Sequence, residues 1–424
     1  MSSSTQLASL DFPLDAAGLG DQLLVKLDTL RAAAPIYWSE VNKAWIITGH
    51  AEVLEGYRGR LPLSSVRLPE TAVSHIPLEQ RQSLLPNLME AFRGFIINMD
   101  EPEHRRIRRL LVRAFSGPVV ESIRPHARRI IQETLDKAAA FVGPFDFCEE
   151  IARPIPTKLI LKQFGLDDSM LPTVQRWSIL NAMGATNTPL ETLIEIEKVV
   201  IEMREICLSE IEKRRRNPTD DFISALVTAN EDGDRLTEAE MIGTCVVTFI
   251  AGHDTTTNTI ALGVAALARD PEASTRLHTH PELLPNAIME IQRRVAMSTL
   301  MSRVVKEDFD WKGHALRKGD VVLLCQAAAN RDPLIFPNPE RLDFTRNQVP
   351  NMAFAPGVHY CIGHLFAKMT LGNFFSEFLR RFDFEVLTHD LNFTPYVAFR
   401  GLNSLPIRLK ARRPRGPGTL ILRS

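Results

Sequence analysis

The chain has little cysteine, almost no net charge and no long apolar run. Its five cysteines in 424 residues, Cys148, Cys207, Cys245, Cys325 and Cys361, are odd in number and far apart. That argues against a disulfide framework and for a reducing, cytoplasmic setting. A formal net charge of −1 points to neither nucleic acid nor an acidic membrane surface. No apolar run reaches the roughly eighteen residues of a membrane span. The longest candidate, 241–267, carries Gly252, His253, Asp254 and several threonines, so a buried helix is expected there and no membrane anchor. The first twenty residues lack the basic start and apolar core of a secretory signal. There is no internal repeat and no Pro/Gly/Ser-rich linker. A single domain is therefore expected over 1–411, followed by a basic tail, 412–424.

What is present is an ordinary globular composition, 45% hydrophobic and 24% charged, arranged mostly with helical periodicity. Ile194, Val199, Met203, Ile206 and Ile211 recur at spacings near three and four. A long helix is predicted over 237–268, ended by Asp270-Pro271, with others over 283–295 and 362–381. Ile36-Tyr37-Trp38 and Ala44-Trp45-Ile46-Ile47-Thr48, flanking Asn42-Lys43, predict a β-hairpin. A second small β region is expected from Phe309 to Leu324, then an irregular proline-rich stretch over 331–351. The fold class expected is mainly α with small β-sheets.

One cysteine sits in an unusual context. In Phe354-Ala355-Pro356-Gly357-Val358-His359-Tyr360-Cys361-Ile362-Gly363 a glycine-bearing loop delivers a thiol to the start of a helix. Unpaired N–H groups and positive partial charge at a helix N-terminus stabilise a thiolate. Gly357 and Gly363 let the backbone turn and approach a flat ligand closely. A buried structural cysteine after a turn is the commoner meaning of such a residue. A nucleophile with His359 as its base is disfavoured by the i, i+2 spacing. Elsewhere, Glu290 and Arg293 form a Glu-x-x-Arg pair on a helix, which alone reads as an ordinary surface ion pair. Ala251-Gly252-His253-Asp254-Thr255-Thr256 puts glycine and threonines mid-helix, where propensity disfavours them.

The ten-residue pattern Phe-x-x-Gly-x-His-x-Cys-x-Gly resembles the cysteine loop of the cytochrome P-450 family, and the other motifs follow in the order and spacing of that family over nearly the whole chain. The resemblance implies a haem-thiolate monooxygenase with haem b (iron protoporphyrin IX) held between the long helix and the cysteine-loop helix, and Cys361 as the iron ligand. It implies that Asp254 and Thr255 relay protons to bound dioxygen. His104, Arg108, Arg303 and His359 would bind the haem propionates, and Ala251, Phe354 and Gly363 would touch the haem. Glu290, Arg293 and Arg341 would form a buried triad that locks the loop. His253 falls at a variable position and is given no role. Ala355, Tyr360 and Thr370 depart from the residues common at their positions.

By family position the substrate pocket draws on 84–92, 177–183, 295–301 and 397–399 with the long helix. Its expected members are Leu85, Met89, Trp177, Met183, Val247, Ile250, Met297, Leu300, Met301 and Phe399. Each alone reads equally well as ordinary core. Together they form an apolar, Met-rich lining suited to a terpenoid, steroid, fatty acyl or aromatic compound. The segment 166–187 is expected to act as a lid. The chain has no flavin or iron–sulfur motif, so it resembles members that take electrons from a separate ferredoxin and ferredoxin reductase. Arg105, Arg109, Arg113 and Lys368 are the expected docking patch, on a monomer. Oxidative ring formation or coupling by the same chemistry is not separable from hydroxylation here. A haem sensor without turnover leaves the proton relay unexplained, and a peroxide-driven enzyme would not need the intact Asp254-Thr255 pair.

Overall fold

The computed structural model describes residues 9–14, 19–66, 73–177, 180, 188–346 and 351–412. Met183, most of the expected lid end and the tail beyond residue 412 lie outside them. The helices are α1 (Gly20–Ala33), α2 (His50–Tyr57), α3 (Leu78–Leu84), α4 (Pro86–Gly94), α5 (Glu103–Val112), α6 (Gly117–Ala139), α7 (Pro154–Phe164), α8 (Leu171–Trp177), α9 (Leu190–Arg216) and α10 (Phe222–Thr228). They continue with α11 (Glu238–Ala268), α12 (Pro271–Thr279), α13 (Leu284–Val295), α14 (Gln326–Ala329) and α15 (His364–Arg381).

The long helix α11 organises the fold. Thr237 caps it, accepting from the Glu240 N–H while Glu240 returns a bond to the Thr237 N–H, which satisfies two orphan donors reciprocally. At 1.5 Å per residue it runs about 46 Å, and most residues from Met241 to Leu267 are buried. The threonines that looked costly are satisfied locally: Thr257 Oγ1 donates to the His253 carbonyl at 3.0 Å and Thr259 Oγ1 to the Thr255 carbonyl at 2.8 Å. Gly263 lets α13 and α15 close on this helix. A Cβ there would meet Phe375 Cζ at 2.7 Å and Ile291 Cγ2 at 3.0 Å. Asp270 ends the helix as expected by capping α12, accepting from the Ala273 N–H.

The hairpin is present as β1 (Ile36–Ser39) and β2 (Ala44–Ile47), with Trp38 opposite Trp45 and Lys43 in the left-handed region at φ 49°. The sequence suggested two β regions near opposite ends of the chain; the structure joins them. The chain adds β3 (Leu63–Ser64), β4 (Phe145–Asp146), β5 (Met301–Val305), β6 (Phe309–Trp311), β7 (His314–Leu316) and β8 (Val321–Leu324). β2 pairs in parallel with β8, and the five-stranded sheet runs β1-β2-β8-β5-β3. Ile46, Val322 and Leu324 are buried in this layer, so the union is driven by apolar surface that neither segment can cover alone. β10 (Asn392–Phe393) pairs with β11 (Leu402–Ser404), and a three-stranded sheet places β12 (Pro406–Ala411) between β4 and β9 (Phe382–Val386).

Candidate active site

Cys361 lies on the loop that enters α15. Its N–H donates to the Phe354 carbonyl at 3.0 Å, Tyr360 N–H donates to the Gly357 carbonyl at 3.0 Å, and His364 Nδ1 lies 3.0 Å from the Cys361 carbonyl. Burial pushes the thiol up, while the Gly363 N–H bonded to its sulfur and the Arg108 guanidinium pull it down. Those two groups favour the anion. Gly357 is required sterically, because a Cβ there would stand 1.9 Å from the Tyr57 carbonyl oxygen. Gly363 has open space around it and a φ of −83°, so no turn demands glycine there. The left-handed position in this loop is instead Ala355, at φ 49°, where an L-residue carries roughly 1–2 kcal/mol of strain.

Four basic or hydrogen-bonding side chains converge beside the loop from separate elements. His104 and Arg108 come from α5, Arg303 from β5 and His359 from the loop itself. The His104 and His359 rings are 4.3 Å apart between centroids. Arg108 Nη2 donates to the Tyr360 carbonyl at 2.6 Å and Arg303 Nη1 to the Ser302 carbonyl at 2.7 Å. Neither guanidinium meets a carboxylate within ion-pair distance among the described residues. Arg303 is 6% exposed, and burial lowers its pKa. Burial, then Arg303, His104 and Arg108, push His359 down to about 3. His104 Nδ1 is buried without a hydrogen bond, Glu101 standing 3.5 Å off. Ser65 Oγ, 3.5 Å from His359 Nε2, also belongs to this cluster. No sequence pattern marked it, since a lone serine carries no signal.

Along α11 between Met241 and Ala268, Ala251 is the exposed residue in an otherwise enclosed helix, with Thr255 half-buried one turn on. Thr255 Oγ1 donates to the Ala251 carbonyl at 2.6 Å. Asp254 is turned against the buried ring of His253, Oδ1 to Nδ1 3.0 Å. His253, which the sequence left without a role, is thus the neighbour of the acid.

The triad behind the loop is present, with one member corrected. Glu290 takes two bonds from Arg293, at 2.8 and 2.9 Å, and a third from Arg346 Nε at 2.9 Å. Arg341, the residue expected from sequence, is exposed and offers only its backbone carbonyl to Arg293, at 3.3 Å. The chain turns back after it. Asp343 accepts from the Thr345 N–H and hydroxyl, Phe344 is buried, and the turn carries Arg346 to Glu290. The Asp-Phe-Thr turn before Arg346 was the available signal. Arg293 also donates to the Asn330 carbonyl, and Asn330 Oδ1 accepts from the Met352 N–H at 2.7 Å, which ties the triad to the start of the cysteine loop.

The expected pocket residues fall into two groups. Leu85, Met89, Trp177, Val247 and Ile250 share one apolar cluster. Trp177 is anchored in it by its ring on Phe249 and by an indole bond to Glu202 Oε2 at 2.8 Å. Met297, Leu300 and Met301 pack in three other clusters. Their segment is bridged to the one carrying Phe399 through Ser298, by Thr299 N–H to the Ala398 carbonyl and by Arg400 N–H to the Met297 carbonyl. On the surface, Arg105 pairs with Glu101, and Arg113 lies 3.6 Å from Glu231. Arg109 and Lys368 have no carboxylate partner among the described residues.

Residues 80–398 match the family model for cytochrome P450. Relatives include mycinamicin IV hydroxylase/epoxidase of Micromonospora griseorubida, 36% identical over 284 residues, 66% of this chain and 70% of that protein. The biotin biosynthesis cytochrome P450 of Bacillus subtilis (strain 168) is 30% identical over 385 residues, 90% of this chain and 94% of its own. Among solved structures, P450BioI in complex with hexadec-9Z-enoic acid ligated acyl carrier protein aligns with a TM-score of 0.82 at 28% identity, covering 93% of this chain and 99% of that one. No helix among the described residues is long and apolar enough to cross a membrane. Motif order, mainly helical architecture and likeness over most of the chain agree: the chain belongs to the cytochrome P450 family and is a haem-dependent monooxygenase that needs a redox partner.

Proposed function

We propose that this enzyme would hold haem b through the Cys361 thiolate to oxygenate a small, mostly apolar substrate, with electrons from a separate ferredoxin and its reductase. The observation that carries the reading is the pairing of two features: a thiol bonded by the Gly363 N–H on the loop entering α15, and beside it two imidazoles with the buried Arg303 and half-buried Arg108 guanidiniums, neither of which has a carboxylate partner among the described residues. Buried cations need anions, and the two propionates of haem answer that need. Arg108 and Arg303 would pair with them, and His104 Nδ1 and His359 Nε2 would bond them. The exposed backbone at Ala251 would lie against the ring. Bound haem supplies the activation of dioxygen and the transfer of one oxygen atom to the substrate.

The chain's own part is to orient and to move protons. Thr255 Oγ1, now bonded to the Ala251 carbonyl, can turn its proton toward the oxygen site. Asp254 would restore that proton from solvent. Leu85, Met89, Val247 and Ile250 would exclude water and hold an apolar substrate. The hexadec-9Z-enoic acid ligated acyl carrier protein in the P450BioI structure supports a fatty acyl substrate, and the hydroxylase/epoxidase among the relatives supports oxygenation as the reaction. Arg109 and Lys368, lacking acidic neighbours, would meet an acidic ferredoxin; Arg105 and Arg113 are already partly neutralised.

The deciding measurement is the carbon monoxide difference spectrum of the reduced enzyme. The native protein is expected to show the red-shifted Soret band of a thiolate-ligated haem, and Cys361→Ala to lose it. A histidine-like band in the native protein would defeat the assignment.

A further inference from the structure

The short helix α4 carries no cap of its own. Its N-cap position is Leu85, which makes no side-chain capping bond, and Pro86 occupies its first turn. The next two amides would be orphans. Glu197, on α9, reaches across and takes both: Asn87 N–H donates to Oε1 at 3.0 Å and Leu88 N–H to Oε2 at 2.7 Å, with Asn87 Nδ2 donating to Oε1 at 2.8 Å. The carboxylate is 6% exposed and no cation pairs with it among the described residues. Its countercharge is the positive end of α4. A residue more than a hundred positions away in sequence does the work that Ser, Asp or Asn does at most helix starts.

The other end of α4 is fixed differently. Gly94 meets Gly243 of α11 so closely that a Cβ on Gly243 would stand 2.6 Å from the Gly94 carbonyl oxygen. Between these two fastenings lies Met89, and Leu85 immediately precedes the helix. Leu88, Ala91 and Phe92 are buried beneath it. Further out, the chain ahead of α3 meets the chain just before α9, with His75 Nε2 2.8 Å from the Thr188 carbonyl.

We infer that Glu197 is a positioning residue for substrate: it fastens α4, one wall of the proposed pocket, to α9, so that the two helices shift together and the breadth of the pocket follows α9. The inference rests on the assignment of Leu85 and Met89 to the pocket. Glu197→Gln keeps the size of the side chain but replaces one acceptor oxygen by a donor that repels the amide it faces. Glu195→Gln, on the same helix, alters an exposed residue paired only with Lys198 and serves as the control.

The test uses the haem-loaded enzyme and two readouts. Hydrogen exchange follows residues 87–94, and the haem spectrum follows titration with imidazole and with the larger 4-phenylimidazole. In Glu197→Gln the α4 amides are expected to exchange about tenfold faster, with no change in Glu195→Gln. Affinity for imidazole stays constant, and that for 4-phenylimidazole shifts by about threefold or more. Asn87→Ala, which removes one bond and leaves both amides capped, gives a smaller change in the same direction and serves if Glu197→Gln does not fold. Unchanged exchange in α4 would overturn the fastening itself. Faster exchange with both affinities unchanged would overturn the inference by another route, showing that α4 is fastened but is no wall of the pocket.

Discussion

On the cysteine side, one buried carboxylate, Glu290, accepts from Arg293 twice, from Arg346 and from the Asp343 N–H. Around Met89, Val247 and Ile250, by contrast, the side chains meet one another through apolar contact, with Glu197 holding only the start of α4. The first arrangement has one solution: each donor has a direction and each buried charge a partner, and a missing member leaves an uncompensated charge. The second has many, since apolar surfaces of similar volume exchange at little cost. A scaffold that must hold one cofactor in one pose suits the former. A pocket that must admit a substrate and release a product suits the latter.

The largest expected effect separates two arginines. Arg346→Ala should cost about 2–3 kcal/mol, because Glu290 loses a buried charge-assisted bond while keeping Arg293, whereas Arg341→Ala should stay within about 0.5 kcal/mol. Urea denaturation of the two variants measures both. Equal losses would erase the contrast. Next, Thr255→Ala should leave folding and the carbon monoxide spectrum intact while product per electron falls by about tenfold or more, read as substrate oxidised against reductant consumed.

A third test concerns the polar cage on the apolar side. Burial alone would raise the Asp221 carboxyl, but the Ser224 N–H, the Thr219 hydroxyl and the Arg214 guanidinium, 2.8 Å away, together hold it below its usual value. A carboxylate depressed in the folded state contributes stability above its unfolded pKa and loses it as pH falls through the folded one. Asp221→Asn should therefore destabilise at pH 7, with the gap to wild type closing below about pH 4. A gap constant from pH 7 to 3 would mean the charge contributes nothing. The smallest effect is a gain. Ala355→Gly should relieve the left-handed strain and raise stability by about 0.5–1 kcal/mol, seen as a higher thermal midpoint.

The same contrast explains what could be read in the sequence. The cap at Thr237, the stop at Asp270 and the hairpin turn are local, so they were legible. The Cys361 loop and Glu290-Arg293 are fixed patterns, and they too were visible. Arg346 was misplaced by five residues because the turn that returns it to Glu290 depends on burying Phe344, a tertiary event. The pairing of β2 with β8, separated by some 275 residues in register, and the capping of α4 by Glu197 have no local trace. The proposed pocket residues carry no individual signature, because packing selects volume and polarity rather than identity.

The contact of Gly357 with the Tyr57 carbonyl has a consequence for assembly. Three hundred positions separate the two residues, and Val358 N–H bonds the same oxygen at 3.3 Å. The loop bearing Cys361 thus takes its shape against a surface made by the first sixty residues, after a contact of very long sequence separation has closed. Haem binding is then expected only in a chain in which these two segments have met, and a fragment lacking the N-terminal region should fail to bind haem even with every motif of the cysteine loop intact.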